Sequence, residues 1–267
     1  MSHSNKFTHE LREWRKFRNL SQLDLALAAE ISQRHVSWLE TAKSHPSREM
    51  VIRLSEALDI PLRNRNRFLV SAGYAPLYTE HGLNEPAMEP IKMVLDRILT
   101  HHEPYPAFVL DRFWNIHAQN RAANWLVGSP GKKTDLWQAI GDDGKRNIAL
   151  LILHPNGIKP LVSNWNDIAQ QMITRLKKEA LDSGDTAVMA RYESFAALAN
   201  ISPEVSVDTL LPVLTLKIKT DKAELGFCSV ISTLGTAQDI TANEIRVEAF
   251  YPMDDTTDQY LKLQQEK

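Results

Sequence analysis

Two short helices with almost no chain between them constrain this sequence more than any other feature. Ser21 opens the first as an N-cap, with Asp24 three residues on as a weaker form of the capping box. The apolar stripe of this helix is Leu25, Ala26 and Ala29. Only Glu30-Ile31 follows before Ser32, a second cap, and Val36 and Leu39 then continue the apolar face at a spacing of three. Two helices of about eight residues joined by so tight a turn make a helix-turn-helix. Three more helices are predicted around the pair. Leu11, Trp14, Arg15 and Arg18 lie on a helical repeat that ends near Asn19. Pro46-Ser47 opens a helix with Val51, Leu54 and Leu58 facing the core, and Pro61 opens a fifth, which Gly73 ends.

The second helix of the pair carries the chemistry. Opposite Val36 and Leu39 it presents Gln33, Arg34, His35, Ser37 and Trp38. Gln and Arg make bidentate contacts to purine edges, so a helix presenting both can read base pairs in the major groove. Gln22, at the start of the preceding helix, is placed to meet a phosphate through its amide and nearby backbone N–H groups. Ser32 and Lys43, at the two ends of the reading helix, complete the DNA-binding candidates. The same residues also fit a plain solvated face. Charge bears on the choice: residues 1–78 hold 12 Lys and Arg against 8 Asp and Glu, whereas residues 79–267 hold 19 against 25. A basic head on an acidic body points the head toward a polyanion.

The segment from Leu20 to Pro61 resembles the lambda-repressor-like, Xre-type DNA-binding domain. The residues carrying the resemblance are Leu20-Ser21-Gln22, Leu25-Ala26, Ser32, Gln33 to Trp38, Leu39-Glu40 and Pro46-Ser47. The resemblance implies that Gln22 contacts phosphate and that Gln33, Arg34 and Trp38 fall on base-reading positions, with His35 and Ser37 near backbone or base edges. The chain departs from the family twice, having Glu30 and Ala42 where glycine is usual. Glycine adopts positive φ at little cost, so either these positions are strained or their backbone is right-handed here. The expected partner is double-stranded DNA with a near-palindromic operator, read by a homodimer, because one weakly charged head makes few base contacts.

Proline and glycine cluster over residues 73–90 and apolar periodicity lapses. The expected domains are a head over 1–78, a linker over 79–90 and a body over 91–267. The body opens with a helix bearing Ile91, Val94, Leu95 and Ile98 on one face. Pro106 to Asp111 and Phe113 to Ala118 read as a strand pair, followed by a helix from Arg121 to Val127 capped by Asn120 and ended by Gly128. The middle, to about Ala199, reads as helical. Val213 to Lys219, Leu225 to Ser232 and Arg246 to Pro252 read as strands. The fold class is therefore α+β: an all-α five-helix head, then about five antiparallel strands with packed helices.

Asp111, Trp114, Asn120, Ala122-Ala123, Leu126 and Gly128 are similar to the opening of a PAS domain. With Glu103 to Ala107, Thr233 to Ala237, Asp239-Ile240-Thr241 and Phe250-Tyr251-Pro252, the body as a whole resembles the MmyB-like ligand-binding domain. That resemblance implies a PAS-like sheet with a pocket for a small apolar molecule such as a fatty acid. Candidate lining residues are Tyr105, Phe108, Trp114, Trp125, Trp137, Trp165, Tyr192 and Phe195, all of which are equally at home in a plain core.

Other signals point away from alternative classes. His101-His102-Glu103 has no second ligand cluster, so no metal is expected. Gly141 to Lys145 lacks phosphate-loop spacing and reads as a turn. Cys228 stands alone, which excludes an intrachain disulfide, suits the cytoplasm and reads as a buried structural thiol. No apolar run is long enough for a membrane span, and the first residues do not read as a secretory signal. No catalytic residues are expected. Two readings remain beside a ligand-sensing regulator: a body that only dimerises or docks a protein, and an enzyme with an attached DNA-binding head.

Overall fold

The computed structural model describes residues 3–127, 136–141, 144–201 and 213–265. The chain forms two compact units, Met1–His81 with Ala237–Asn243, and Gly82–Thr236 with Glu244–Lys267.

The first unit is built on α1 (His3–Phe17), α2 (Gln22–Ala28), α3 (Gln33–Glu40), α4 (Arg48–Ala57) and α5 (Leu62–Ser71). Capping sets where the inner three begin. Ser21 Oγ accepts from Asp24 N at 3.1 Å while Asp24 Oδ2 accepts from Ser21 N at 2.8 Å, a complete reciprocal box. Ser32 accepts from His35 N, and Ser47 from Met50 N. Pro61 stands at the cap just before α5 rather than inside it. Phe7, Leu11, Leu25, Val36, Leu39 and Phe68 are fully or almost fully buried between the helices.

Each of these helices closes in the same way. A left-handed residue follows it, and two reversed backbone hydrogen bonds satisfy its last carbonyls. After α2 they run from Glu30 N to Leu27 O, 3.2 Å, and from Ile31 N to Ala26 O, 2.9 Å. After α3 they run from Ala42 N to Leu39 O, 3.4 Å, and from Lys43 N to Trp38 O, 2.9 Å. The left-handed residues are Asn19, Glu30, Ala42, Asp59 and Gly73, with φ of 54°, 53°, 56°, 47° and 86°. Glu30 and Ala42 therefore take the conformation for which glycine is usual, and the strained alternative holds. A left-handed alanine costs about 1–2 kcal/mol, whereas glycine costs about 0.4–1 kcal/mol through unfolded-chain entropy. Ala42 is exposed. Ala42→Gly is expected to stabilise the chain by about 0.5–1 kcal/mol. Denaturant unfolding checks this, and a destabilised variant would show that Ala42 is not strained.

The chain returns to this unit at Ala237–Asn243. Asp239 Oδ2 accepts from Thr79 Oγ1 at 3.0 Å, His81 N at 3.1 Å and His81 Nδ1 at 2.8 Å. Burial pushes this carboxyl up, but the His81 and Thr79 hydrogen bonds outweigh it and hold the group below the usual carboxylate range.

The second unit contains α6 (Glu89–His101), β1 (Ala107–Leu110), β2 (Ile116–Gln119), α7 (Arg121–Val127), α8 (Leu136–Ile140), α9 (Ile148–Leu153), α10 (Trp165–Ser183) and α11 (Thr186–Ala199). β3 (Leu216–Lys219), β4 (Glu224–Thr233), β5 (Arg246–Pro252) and α13 (Asp255–Gln265) complete it, and α12 (Ile240–Glu244) lies in the β4–β5 connection. The sheet order is β2-β1-β5-β4-β3, with every neighbouring pair antiparallel. β5 is central and covered on both faces. Leu95 and Leu99 of α6 pack on one face with Val109, Val247 and Ala249. Phe108, Leu110 and Phe250 occupy the opposite face, in a core shared with Ile173 and Leu176 of α10.

Several expectations need correction. The second strand begins at Ile116, not Phe113, because Trp114 turns the chain with φ 69°. Asp111 fixes that turn by accepting from Phe113 N, Asn115 N and Asn115 Nδ2. The strand expected over 213–219 runs only from Leu216 to Lys219. Cys228 is half-buried rather than buried, since it pairs with Tyr251 on the face opposite Phe227. Asn120 caps α7 through Ala123 N at 2.9 Å, and its amide also donates to Tyr105 O at 2.7 Å. Gly128, Asp142 and Asp143 lie outside the described residues.

Candidate nucleic-acid interface and ligand cavity

α3 is anchored at its carboxy-terminal end by Glu40, which is 2% exposed. Arg15 of α1 donates to both carboxylate oxygens, Nε to Oε1 at 2.6 Å and Nη2 to Oε2 at 3.0 Å. Gln22 of α2 donates from Nε2 to Oε2 at 2.7 Å, and Arg12 Nη2 donates to the Glu40 carbonyl at 2.6 Å. Burial pushes the Glu40 carboxyl up, but the Arg15 and Gln22 hydrogen bonds and the nearby guanidinium charges hold it below its ordinary range. One carboxylate thus ties three helices together.

Val36 and Leu39 turn α3 into the core, and its other face is turned outward. Gln33, Arg34 and Trp38 are exposed, His35 and Ser37 half-buried, and Lys43 exposed beyond the helix. The Arg34 guanidinium lies 4.4 Å from the Trp38 ring centroid, so the two side chains, one turn apart, form a single cation–π unit. Ser32 Oγ is engaged by His35 N at 3.2 Å. Gln22 commits its amide to Glu40, and an amide nitrogen with two hydrogens keeps one for a further acceptor.

The second unit holds a cavity of about 140 Å³ between α10 and the inner face of the sheet. α10 contributes Ile168, Gln171, Met172 and Arg175, which share one helical face at spacings of three and four. β4 contributes Phe227 and Ser229, and β5 contributes Glu248 and Phe250, residues two apart on one side of each strand. Trp114 closes one wall, with Leu214 and Leu216 on another.

Arg175 and Trp114 of this lining belong to a coupled cluster that continues beyond the cavity to Glu179 and Arg246. Glu179 accepts from Arg175 Nε at 2.8 Å, Arg246 Nη1 at 2.7 Å and Trp114 Nε1 at 3.0 Å. Both guanidiniums also face the Trp114 ring, Arg246 at 4.3 Å and Arg175 at 5.0 Å from its centroid. Burial pushes the Glu179 carboxyl up, but Arg246 and Arg175 prevail and hold it below its ordinary range. Glu248 goes the other way: burial raises it, and Arg175, Ser229 and Arg246 do not compensate.

Of the residues expected to line a pocket, Trp114 lines this cavity. Phe108 and Phe195 are fully buried core. Tyr105 donates its hydroxyl to Asp258 at 2.6 Å, and Trp165 donates Nε1 to Ile152 O at 3.0 Å. Trp137 and Tyr192 are partly buried against the core. Trp125 lines a separate cavity of about 100 Å³ beside Arg121 and Leu261. Sequence reasoning missed Gln171, Arg175, Ser229 and Glu248. One signal was readable for two of them: Gln171 and Arg175 continue the Ile168, Met172 stripe of α10.

Comparison with protein families completes this picture. A helix-turn-helix family model matches residues 11–63. The model described as the MmyB-like transcription regulator ligand binding domain matches residues 91–263. No curated protein sequence matches the chain. Both families are domains of transcription regulators, not enzymes. The body match spans well over half of the chain, with the helix-turn-helix standing ahead of it, and the chain therefore belongs to the MmyB-like transcription regulators.

Proposed function

We propose that this DNA-binding regulator reads a near-palindromic operator as a homodimer, and that a small ligand in the body cavity changes its affinity for DNA. The observation carrying the first half is the outward face of α3, held at its end by Glu40. Gln33, Arg34 and Trp38 enter the major groove in this reading. Ser32, His35, Ser37, Lys43 and the second amide hydrogen of Gln22 meet backbone or base edges. Dimerisation is supported by apolar side chains left exposed on the second unit, Met93, Val94 and Ile98 of α6 and Val230 and Tyr251 of the sheet.

Arg34→Ala is expected to weaken operator binding by about 1–3 kcal/mol and to relax preference at one base pair. Gln22→Ala weakens specific and random DNA alike, because phosphate contacts carry no sequence code. Both are read by DNA titration at one fixed salt concentration, since phosphate contacts make affinity steeply salt-dependent. Parent-like binding of both variants to both DNAs would remove α3 from the interface.

The body carries an excess of acidic residues, so it acts on DNA through the placement of the heads. A ligand shifts that placement only as far as it prefers one arrangement. The expected coupling is about 1–3 kcal/mol, and operator DNA changes ligand affinity by the same factor. Binding of a ligand without any change in operator affinity would leave the body as a dimerisation or docking module.

A further inference from the structure

We infer that Arg34 and Trp38 act as one reading unit across two adjacent base pairs, Arg34 taking a guanine and Trp38 the methyl group of a thymine beside it. This rests on the reading of α3 given above and names the base step that α3 selects.

Placement on the helix gives the first argument. Arg34 and Trp38 stand one turn apart on the exposed face of α3. Helical side chains lean toward the amino terminus, so Trp38 leans back over the turn that carries Arg34. The Arg34 guanidinium lies over the Trp38 ring, 4.4 Å from its centroid. The cation–π attraction orders a long, flexible side chain before any DNA arrives. A side chain ordered in advance loses less freedom on binding.

Free donors give the second. Arg12, Arg15 and Arg18 of α1 spend guanidinium nitrogens on Glu40 and on backbone carbonyls. Arg34 has no hydrogen-bond or carboxylate partner among the described residues. Its contact with Trp38 engages the face of the guanidinium and leaves the N–H groups at its edge for another acceptor. Two such donors side by side match O6 and N7 of guanine. No other base offers two adjacent acceptors in the major groove.

The level of the ring gives the third. A guanidinium forked onto guanine lies in the plane of that base, and successive base pairs are about 3.4 Å apart along the duplex. A ring over the face of the guanidinium, as Trp38 is here, then comes level with the neighbouring base pair. Trp38 is 39% exposed, so it brings uncovered apolar surface to that level. Its one polar group is a single N–H donor, which cannot make a two-point contact with a base edge. The feature of the major groove that rewards an apolar surface is the methyl group of thymine.

Selection of binding sites by the full chain from a randomised duplex pool, followed by titration at one fixed salt concentration, tests this. The selected half-site is expected to hold a guanine with a thymine next to it. Exchanging that guanine for adenine is expected to weaken the parent by about 5- to 150-fold. Replacing the thymine by deoxyuridine removes the methyl group alone and is expected to weaken the parent about fourfold. Trp38→Ala is expected to bind the thymine and deoxyuridine duplexes equally and to select guanine less sharply, with random DNA bound within about twofold of the parent. Arg34→Lys keeps the charge without the fork, and is expected to keep random-DNA binding and to lose the guanine preference. A half-site without neighbouring guanine and thymine, equal binding of both duplexes by the parent, or a methyl effect that persists in Trp38→Ala would overturn the shared unit. A pool with no enriched sequence would overturn the base-reading role of α3 itself.

Discussion

Glu40→Ala is expected to destabilise the head by about 3–5 kcal/mol, because it removes one partner of a buried ion pair and leaves the other uncompensated. The stranded group is Arg15, whose side chain is only 14% exposed. Gln22 loses its acceptor at the same time. Operator binding should disappear with the fold, even though Glu40 is buried and faces no DNA in the proposed interface. Glu40→Gln keeps the shape and one acceptor and is expected to lose less. The pair also fixes a pH response. The folded Glu40 carboxyl is held below its ordinary value, so its stabilising effect is present above the unfolded carboxyl's pKa and is lost as pH falls through the folded one. Acid should therefore loosen the parent head in a range where the alanine variant shows no further change from this group. Denaturant unfolding of the full chain as a function of pH measures both effects. A loss under 1 kcal/mol at neutral pH would show that the pair is well solvated.

Trp114→Ala should have an effect of similar size in the second unit, about 3–5 kcal/mol for deleting a large buried aromatic. Trp114 is 2% exposed, and its ring centroid lies within 5.0 Å of two guanidiniums. Its removal opens the cavity wall, takes a donor from Glu179 and uncovers Arg175 and Arg246 together. Trp114→Phe keeps a ring for the cations and loses only the Nε1 hydrogen bond to Glu179. That bond is charge-assisted, so the expected loss is about 1.5–3 kcal/mol. Thermal unfolding followed in the near-ultraviolet separates the variants. Equal loss in both would mean that the hydrogen bond, not the packing, makes this residue matter.

The head was legible because its information is local. Ser21, Ser32 and Ser47 each cap a helix by accepting a backbone N–H three residues on, a relation that spacing alone displays. The left-handed backbone at Glu30 and Ala42 was only half legible. Family spacing showed which positions were unusual, and the structure was needed to show that they kept the glycine conformation. Glu40 was visible as part of a motif, but its partners are 25 and 18 residues away in sequence, and helical periodicity carries no such information.

The body hid more. Along β5 the order Arg246, Val247, Glu248, Ala249, Phe250 reads as a strand with two alternating faces. Both are covered: α6 packs on Val247 and Ala249, while Arg246 and Glu248 face α10 on the other side. Alternation identifies the two faces of a strand but not which is covered when both are. For the same reason a search for aromatics reached Trp114 and the fully buried Phe108 and Phe195, and passed over Arg175 and Ser229.

The way the head's helices end has a mechanical consequence. Each stops on a backbone turn already locked by two reversed hydrogen bonds, with glycine supplying the turn only at Gly73. Dihedral freedom is what a hinge requires, and residues such as Asn19, Glu30, Ala42 and Asp59 have given theirs up to hold one left-handed geometry. The reading helix accordingly has no joint about which to swing against its neighbours. In the proposed function, a ligand signal from the body would therefore relocate or release the head as a whole and would not reshape it finger by finger.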